Sequence, residues 1–470
     1  MSNANAKTIF RPRKRDLDMT EGSIPGRLIK FALPLLAGNL FQQLYNRVDT
    51  WVIGQSGDNA AYAAVGSVGP IINILIGFFL GLSSGAGVVI SQFYGAGNRE
   101  KVKQTVHTAM LLTLILSAAF TVVGVCMTPS MLHIMLDGNN SDPGVFAAAQ
   151  TYLFIYFAGV TGLLIYNIGA GILRAVGDSA RPFYFLMVSA VTNTVLDLLF
   201  VFKLGMGVVG VALATVIAQL LSAILTMVVL LRTEGDVRVE WKKLKIHRDC
   251  LRKILKVGIP AAVQMAITAF SNVFVQSYIA GVNGVQTYNL GGWTTYTKVD
   301  QFIFLPLQSL ALSVTTFVGQ NLGKGDVKRA KKGTYVAYGM ATGVTILLIA
   351  AVVSFAAPIA SVFNPDEHVV ATATILLHDL TPFYLLCCVN QIFSGSLRGA
   401  GDSTAPMILM LASFVGFRQI YLFIVSNYIS NDLLPIAFSY PCGWALCCIG
   451  TLLYFKFCRF GSKKLVETKE

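Results

Sequence analysis

Charge is what this sequence has least of. Only 13% of its 470 residues are Asp, Glu, Lys or Arg, against roughly a quarter in an ordinary soluble domain, while 54% are hydrophobic. The mean hydropathy is +0.64. So few charges cannot clothe a water-facing surface, which excludes an aqueous enzyme, a secreted scaffold and a disordered chain together. The usual carriers of chemistry are missing too. The five histidines, His107, His133, His247, His368 and His378, show no ligand spacing, and there is no HExxH, no GxSxG and no Walker lysine. ATP-driven transport by this chain alone is thereby disfavoured. The eight cysteines mostly sit in apolar stretches without CxxC spacing, which fits small packing residues rather than a zinc or redox centre. No cofactor is expected.

What is present is apolar length. Runs able to cross a hydrocarbon core ~30 Å thick, which takes about 20 residues, recur along the chain. They fall near 26–54, 59–92, 102–127, 145–173, 180–203, 208–231, 252–281, 286–319, 329–356, 368–396, 404–427 and 434–457. They lack the alternation of barrel strands, so the expected fold class is an all-α polytopic membrane protein with twelve transmembrane helices.

The net charge of +13 would suggest nucleic acid if it clustered on one soluble face, but the basic residues lie between the apolar runs. No nucleic-acid partner is expected. Of the 36 Lys and Arg, all but Arg47, Lys203, Lys298 and Arg418 fall in segments on one side of the twelve-span arrangement. The positive-inside rule then makes both termini and the 232–256 segment cytoplasmic, in a multi-pass protein of the plasma (inner) membrane surrounded by lipid. The N-terminus carries Arg11, Arg13, Lys14 and Arg15, but the run after it holds Asn39, Gln42 and Gln43 and no cleavage site, so it does not read as a removable signal peptide.

The two halves repeat. Leu173-Arg174-Ala175-Val176-Gly177-Asp178-Ser179-Ala180-Arg181-Pro182 matches Leu397-Arg398-Gly399-Ala400-Gly401-Asp402-Ser403-Thr404-Ala405-Pro406 at six of ten positions. Gln92-Phe93-Tyr94-Gly95-Ala96-Gly97 pairs likewise with Gln320-Asn321-Leu322-Gly323-Lys324-Gly325, and Pro34 with Pro260. The chain divides into a segment 1–25, an N-lobe 26–231, a basic linker 232–251, a C-lobe 252–457 and a tail 458–470. Each six-helix unit has an even number of spans, so the two lobes run in the same sense, related by a pseudo-two-fold along the membrane normal. In the repeated loops Gly177 and Gly401 suit a reversal, Asp178/Ser179 and Asp402/Ser403 suit caps, and Arg174 and Arg398 suit interfacial anchors.

Polar residues inside the spans mark candidate sites, because a charge at that depth is costly unless paired, protonated or facing water. Asp49 lies in the first span. Asp197 and Asn193 lie one turn apart on the fifth, and Thr215 on the sixth stands at the depth of Asp197. Two carboxyls at one site cannot both ionise without a counter-charge, so the set holds a proton or a hard cation such as sodium. Asn193 and Thr215 also fit plain interhelical hydrogen bonding. Arg47 could neutralise Asp49, but two residues apart they point to different faces. The second half does not mirror the acids: Asp49 maps near Val275 and Asp197 near Tyr421. Its own polar candidates are Gln264, Gln276, Lys298, Asp300 and Arg418; Lys298 and Asp300 either tune substrate charge or anchor a helix near the interface.

With these residues in view, the chain resembles the MATE family of multidrug and toxic compound extrusion transporters over residues 24–460. The carriers are the Gln43-Leu44-Tyr45-Asn46-x-x-Asp49-Thr50 stretch, the LRxxGDSxxP loops and the Gln-x-x-Gly-x-Gly turns. The resemblance implies a monomeric antiporter that expels small, amphipathic, mostly cationic drugs or toxins in exchange for protons or sodium. It also implies a cation-coupling site on Asp49, Asn193, Asp197 and Thr215, sodium being the possible metal, with Tyr45 lining the same cavity; Gln43, Gln276 and Asp300 are the further cavity or substrate candidates that the polar residues of the spans themselves offer. Another branch of the family carries acids in spans 7 and 10, where Gln264 to Thr268 and Cys387 to Asn390 offer none; that favours the DinF-like type. The alternatives are a flippase of lipid-linked precursors, which calls for a wide cationic cavity, and an intramembrane aspartyl enzyme, which Asp49 and Asp197 could imitate.

Overall fold

The computed structural model describes residues 17–55, 57–136, 142–458 and 460–466. The N-terminal cluster from Arg11 to Arg15 lies outside them. Among the described residues the chain is helical throughout: α1 Ile24–Gln55, α2 Asn59–Gly95, α3 Arg99–Leu136, α4 Pro143–Ala158, α5 Val160–Ala175, α6 Ala180–Asp197, α7 Gly207–Arg232, α8 Arg248–Ala280, α9 Gln286–Lys324, α10 Val327–Ser354, α11 Ala356–Phe363, α12 Glu367–Leu380, α13 Tyr384–Gly399, α14 Thr404–Met410, α15 Arg418–Ile424, α16 Leu433–Ala437 and α17 Ser439–Phe457. Helix is the only open-ended way to satisfy a backbone in lipid, and each expected span has its helical counterpart.

Two spans depart from simple expectation. Among the described residues ten helices, or eleven counting one bent pair, are long and apolar enough to cross a membrane, and α1 is not among them. Its apolar run is interrupted by Asn39, Gln42, Gln43, Asn46, Arg47 and Asp49. The fourth span breaks at Gly159 into α4 and α5, bent by 48°. A Cβ at Gly159 would come within 2.2 Å of Val216, so α7 packs into the elbow.

Acids, not serines, cap the repeated loops. Asp178 accepts from the amide of Arg181 at 3.1 Å and Asp402 from that of Ala405 at 3.4 Å, while Ser179 and Ser403 make no cap bond. Gly177 and Gly401 take φ of +98° and +88°, which a side chain would strain. The arginines before them turn inward rather than to the interface. Arg398 is buried with its Nε unpartnered, and Arg174 lines a small hydroxyl-rich cavity with Ser83, Ser91, Thr315 and Thr316, between α2, α5 and α9.

The two lobes meet most extensively along α2 and α8. The contact is close because it is built of small residues: a Cβ at Gly81 would fall 2.3 Å from the backbone of Ala262, and one at Gly85 2.4 Å from Gly258. At the face carrying the termini and the basic segments, the seam is locked by a reciprocal pair. Gln92 donates to the carbonyl of Gly399 at 2.9 Å and accepts from the amide of Leu465 at 2.7 Å. Its repeat partner Gln320 donates to the carbonyl of Ala175 at 2.9 Å and accepts from the amide of Met19 at 3.1 Å. Toward the opposite face the helices part. The α2 face running through Gly85, Gly81 and Gly77 continues through Asn73 and Gly66, both exposed, and the facing stripe of α8, Gly258 and Met265, continues to Asn272 and Gln276, also exposed. The seam is closed at the basic face and open at the other.

Candidate functional site

Four helices of the N-lobe each offer a polar pair one turn apart on one face: Tyr45 and Asp49 on α1, Tyr152 and Tyr156 on α4, Asn193 and Asp197 on α6, Thr215 and Gln219 on α7. Packing of α1 on α6, α6 on α7 and α4 on α7 turns these pairs toward one another. The carboxyls of Asp49 and Asp197 lie against each other. Tyr45 stands beside Asp49, and Tyr152 beside Thr215. Immediately beyond Asp197 the helix widens into a π-helical turn, Leu198–Lys203, a distortion often found where a backbone is adapted to a site.

The site is polar and unsatisfied. Asn193 and Asp197 are 1% and 0% exposed. Asp49 Oδ1, both oxygens of Asp197 and both ends of the Asn193 amide are buried without a hydrogen-bond partner, as are Tyr156 Oη and Gln219 Oε1. Buried polar atoms are nearly always partnered, so such a cluster calls for something to share them. Thr215 donates its hydroxyl to the carbonyl of Val211 at 3.0 Å, which leaves its lone pairs available. The donor set fits two occupants. A proton shared between the carboxyls satisfies them both. A sodium ion would be held by Asp49, Asp197, the Asn193 carbonyl and the Thr215 hydroxyl, all hard oxygens. Among the described residues no group of three or more His, Cys, Asp or Glu comes together, so a multi-ligand transition-metal centre has no basis here.

Gln43 is half-buried, on the α1 face between Asn39, which donates to Ser309 of α9 at 3.4 Å, and Arg47, which stacks on Phe363 of α11 at 5.7 Å. It therefore faces the seam, as does Gln276 from α8. Asp300 is turned away from the seam into the C-lobe, where it accepts from Tyr384; Tyr384 in turn meets Tyr296 hydroxyl to hydroxyl at 3.1 Å. Sequence reasoning missed Tyr152, Tyr156 and Gln219. Gln219 was within reach, four residues after Thr215 in an apolar span. The tyrosines were not, since aromatic residues are spread throughout the spans.

Two like-oriented six-helix units, closed on each other at one face and parted at the other, with a buried unsatisfied acid pair in one of them, define a secondary transporter of the duplicated type. The MatE family model matches twice, over residues 34–199 and 260–424, and the chain belongs to that family. It is 29% identical over 454 residues to the probable multidrug resistance protein YoeA of Bacillus subtilis strain 168, covering 93% of this chain and 94% of that one. Among solved structures it superposes with a TM-score of 0.88, at 22% identity and over 95% of its length, on a multidrug resistance MATE family transporter of the MOP superfamily in an outward-facing conformation, covering 98% of that chain. It matches equally, again over 98% of the other chain, a MOP superfamily transporter from Pyrococcus furiosus whose binding pocket is described as of reverse polarity, suggesting a different function.

Proposed function

We propose that this transporter is an efflux antiporter of the plasma (inner) membrane that exports amphipathic, mostly cationic small molecules in exchange for protons or sodium bound at Asp49, Asp197, Asn193 and Thr215. The observation that carries this is the Asp49–Asp197 pair inside the N-lobe, with Asp49 Oδ1 and both oxygens of Asp197 buried without a donor. Intramembrane carboxyls in that condition mark ion pathways. The basic face is cytoplasmic by the positive-inside rule, so the conformation described above opens outward. Ion binding in the N-lobe favours one tilt of the lobes and drug binding the other, which couples the two without a shared site. The protein acts as a monomer, divided at 26–231 and 252–457 with the linker between. Gln43, Tyr45 and Gln276 line the path of the exported compound.

The direct test is efflux of a fluorescent cation from vesicles under a pH gradient or a sodium gradient, imposed one at a time; export indifferent to both would remove the antiport assignment. The partners of Asp49 then separate the ions. If sodium couples, Asn193→Ala and Thr215→Ala raise the sodium concentration needed for half-maximal export about tenfold, because each removes a neutral oxygen ligand. If protons alone couple, the same variants shift the pH profile instead. Variants moving neither would exclude both residues from the site.

Asp300→Asn is expected to change the relative rates of cationic and neutral compounds while leaving ion dependence in place. Transport panels under a fixed ion gradient check this. Loss of coupling for every compound would instead make the C-lobe an ion site.

A further inference from the structure

The C-lobe holds a second intramembrane charge that the ion mechanism does not use. Arg418, at the start of α15, is 2% exposed. One Nη2 donates to Ser271 Oγ at 2.6 Å and to Asn272 Oδ1 at 2.9 Å, and the guanidinium lies over Tyr440 at 4.7 Å and Phe414 at 5.9 Å. Its Nε is buried without a partner. Among the described residues no carboxylate pairs with it. A guanidinium never gives up its proton, so its charge in a lipid-embedded lobe stands uncompensated, and the five-donor fork is made for a planar anion.

Register gives the position meaning. The stretch before it, Leu411–Phe417, is π-helical, and such a turn takes up extra chain relative to an α-helix. The repeated loops before it accordingly stand 224 residues apart, Asp178 against Asp402, whereas the family matches end 225 apart, at 199 and 424. At the latter offset Arg418 occupies the place of Asn193, and on α8, at the 226-residue offset between the starts of the two matches, Ser271 and Asn272 occupy the places of Tyr45 and Asn46. The pocket that holds the acid pair in one lobe thus holds a cation in the other. It is reachable: Asn272, which bonds both Arg418 and the Tyr440 hydroxyl, is exposed on the α8 stripe that faces the open half of the seam.

We propose that Arg418, with Asn272 and Tyr440, is a binding site for the carboxylate of amphipathic zwitterions, so that the exported compounds include molecules carrying an anionic group beside their cationic one. This deepens the efflux reading and rests on it. Tyr440, partly exposed and backed by the buried rings of Trp293 and Trp444 at 5.4 and 5.8 Å, offers an aromatic surface for the ring body of such a compound.

The test compares a rhodamine bearing a free carboxylate with its ethyl ester, a plain cation of the same shape, in phosphatidylcholine proteoliposomes. Arg418→Gln is expected to raise the KM for the free acid about tenfold and leave the ester within about twofold, with Arg418→Lys restoring part of the loss. An equal change for both dyes, or none, overturns the proposal. Should the glutamine variant not fold, wild-type protein decides: binding of the free acid, read from tryptophan quenching, is competed by benzoate, whereas ester binding is not. Competition of neither or of both also overturns it. Quenching is read in detergent without a gradient, so a failure of gradient-driven export of both dyes would count against antiport and leave this measurement standing.

Discussion

Asp49→Asn reduces gradient-driven export about a hundredfold, to the level of empty vesicles, while the protein inserts and folds as before. The amide keeps the shape of the carboxyl but can neither release a proton by titration nor carry a charge. It also supplies the one thing Asp197 lacks, a permanent donor beside its orphaned oxygens. The variant therefore mimics the ion-loaded state and cannot leave it, so the cycle stops and drug binding, which favours the other tilt, weakens. Efflux from vesicles, paired with equilibrium binding of the same dye, separates the two quantities. Undiminished export by the variant would sink the ion site altogether.

The second large effect belongs to the glutamines at the basic face. Replacing Gln92 and Gln320 together by alanine removes four hydrogen bonds that cross or close the seam, two at each residue. At about 1 kcal/mol each, the closed-to-open ratio shifts by roughly two to three decades. The carbonyls of Gly399 and Ala175 are left without their donors, which opposes closure further. Export should fall at least tenfold because the outward-open conformation is no longer held, and a cysteine placed at Ser91, buried in the closed seam, should become labelled from the basic side by an impermeant thiol reagent. Labelling no faster than in the parent would show that the small-residue packing of α2 on α8 closes the face alone.

How much of this was legible in the sequence depends on which force wrote each feature. The spans were legible because lipid imposes a length, and Asp49, Asn193, Asp197 and Thr215 because lipid makes polar residues conspicuous. Even α1, too polar to pass as a span by composition, could be placed by its flanks. The elbow at Gly159 could not: that glycine is one of several in long apolar runs, and the side chain that fills the space beside it, Val216, comes some sixty residues on. The arginines of the repeated loops were misplaced for the same reason. A basic residue ending an apolar helix reads as an interfacial anchor, and only the arrival of the other lobe makes the position of Arg398 an interior. Asp178 and Asp402 take the caps that their neighbouring serines could have filled, since a carboxylate is the stronger acceptor.

The ends of the chain carry a further consequence. Leu17 touches its own half, donating to the carbonyl of Gly177, but two residues on Met19 is held by Gln320 and Asn321 of the other and sits in the apolar cluster with Trp293 and Phe317. At the far end Lys463 pairs with Asp402 of its own half, and Leu465 and Val466 then enter the cluster around Phe93 and Ile172 in the first. Each half lends an arm to the core of its twin. That is the bonding pattern of a domain-swapped homodimer, and here it survives inside a single polypeptide: two copies joined end to end, still clasped as separate subunits would be, with charge free to diverge between them because the clasp, and not the pockets, holds them together.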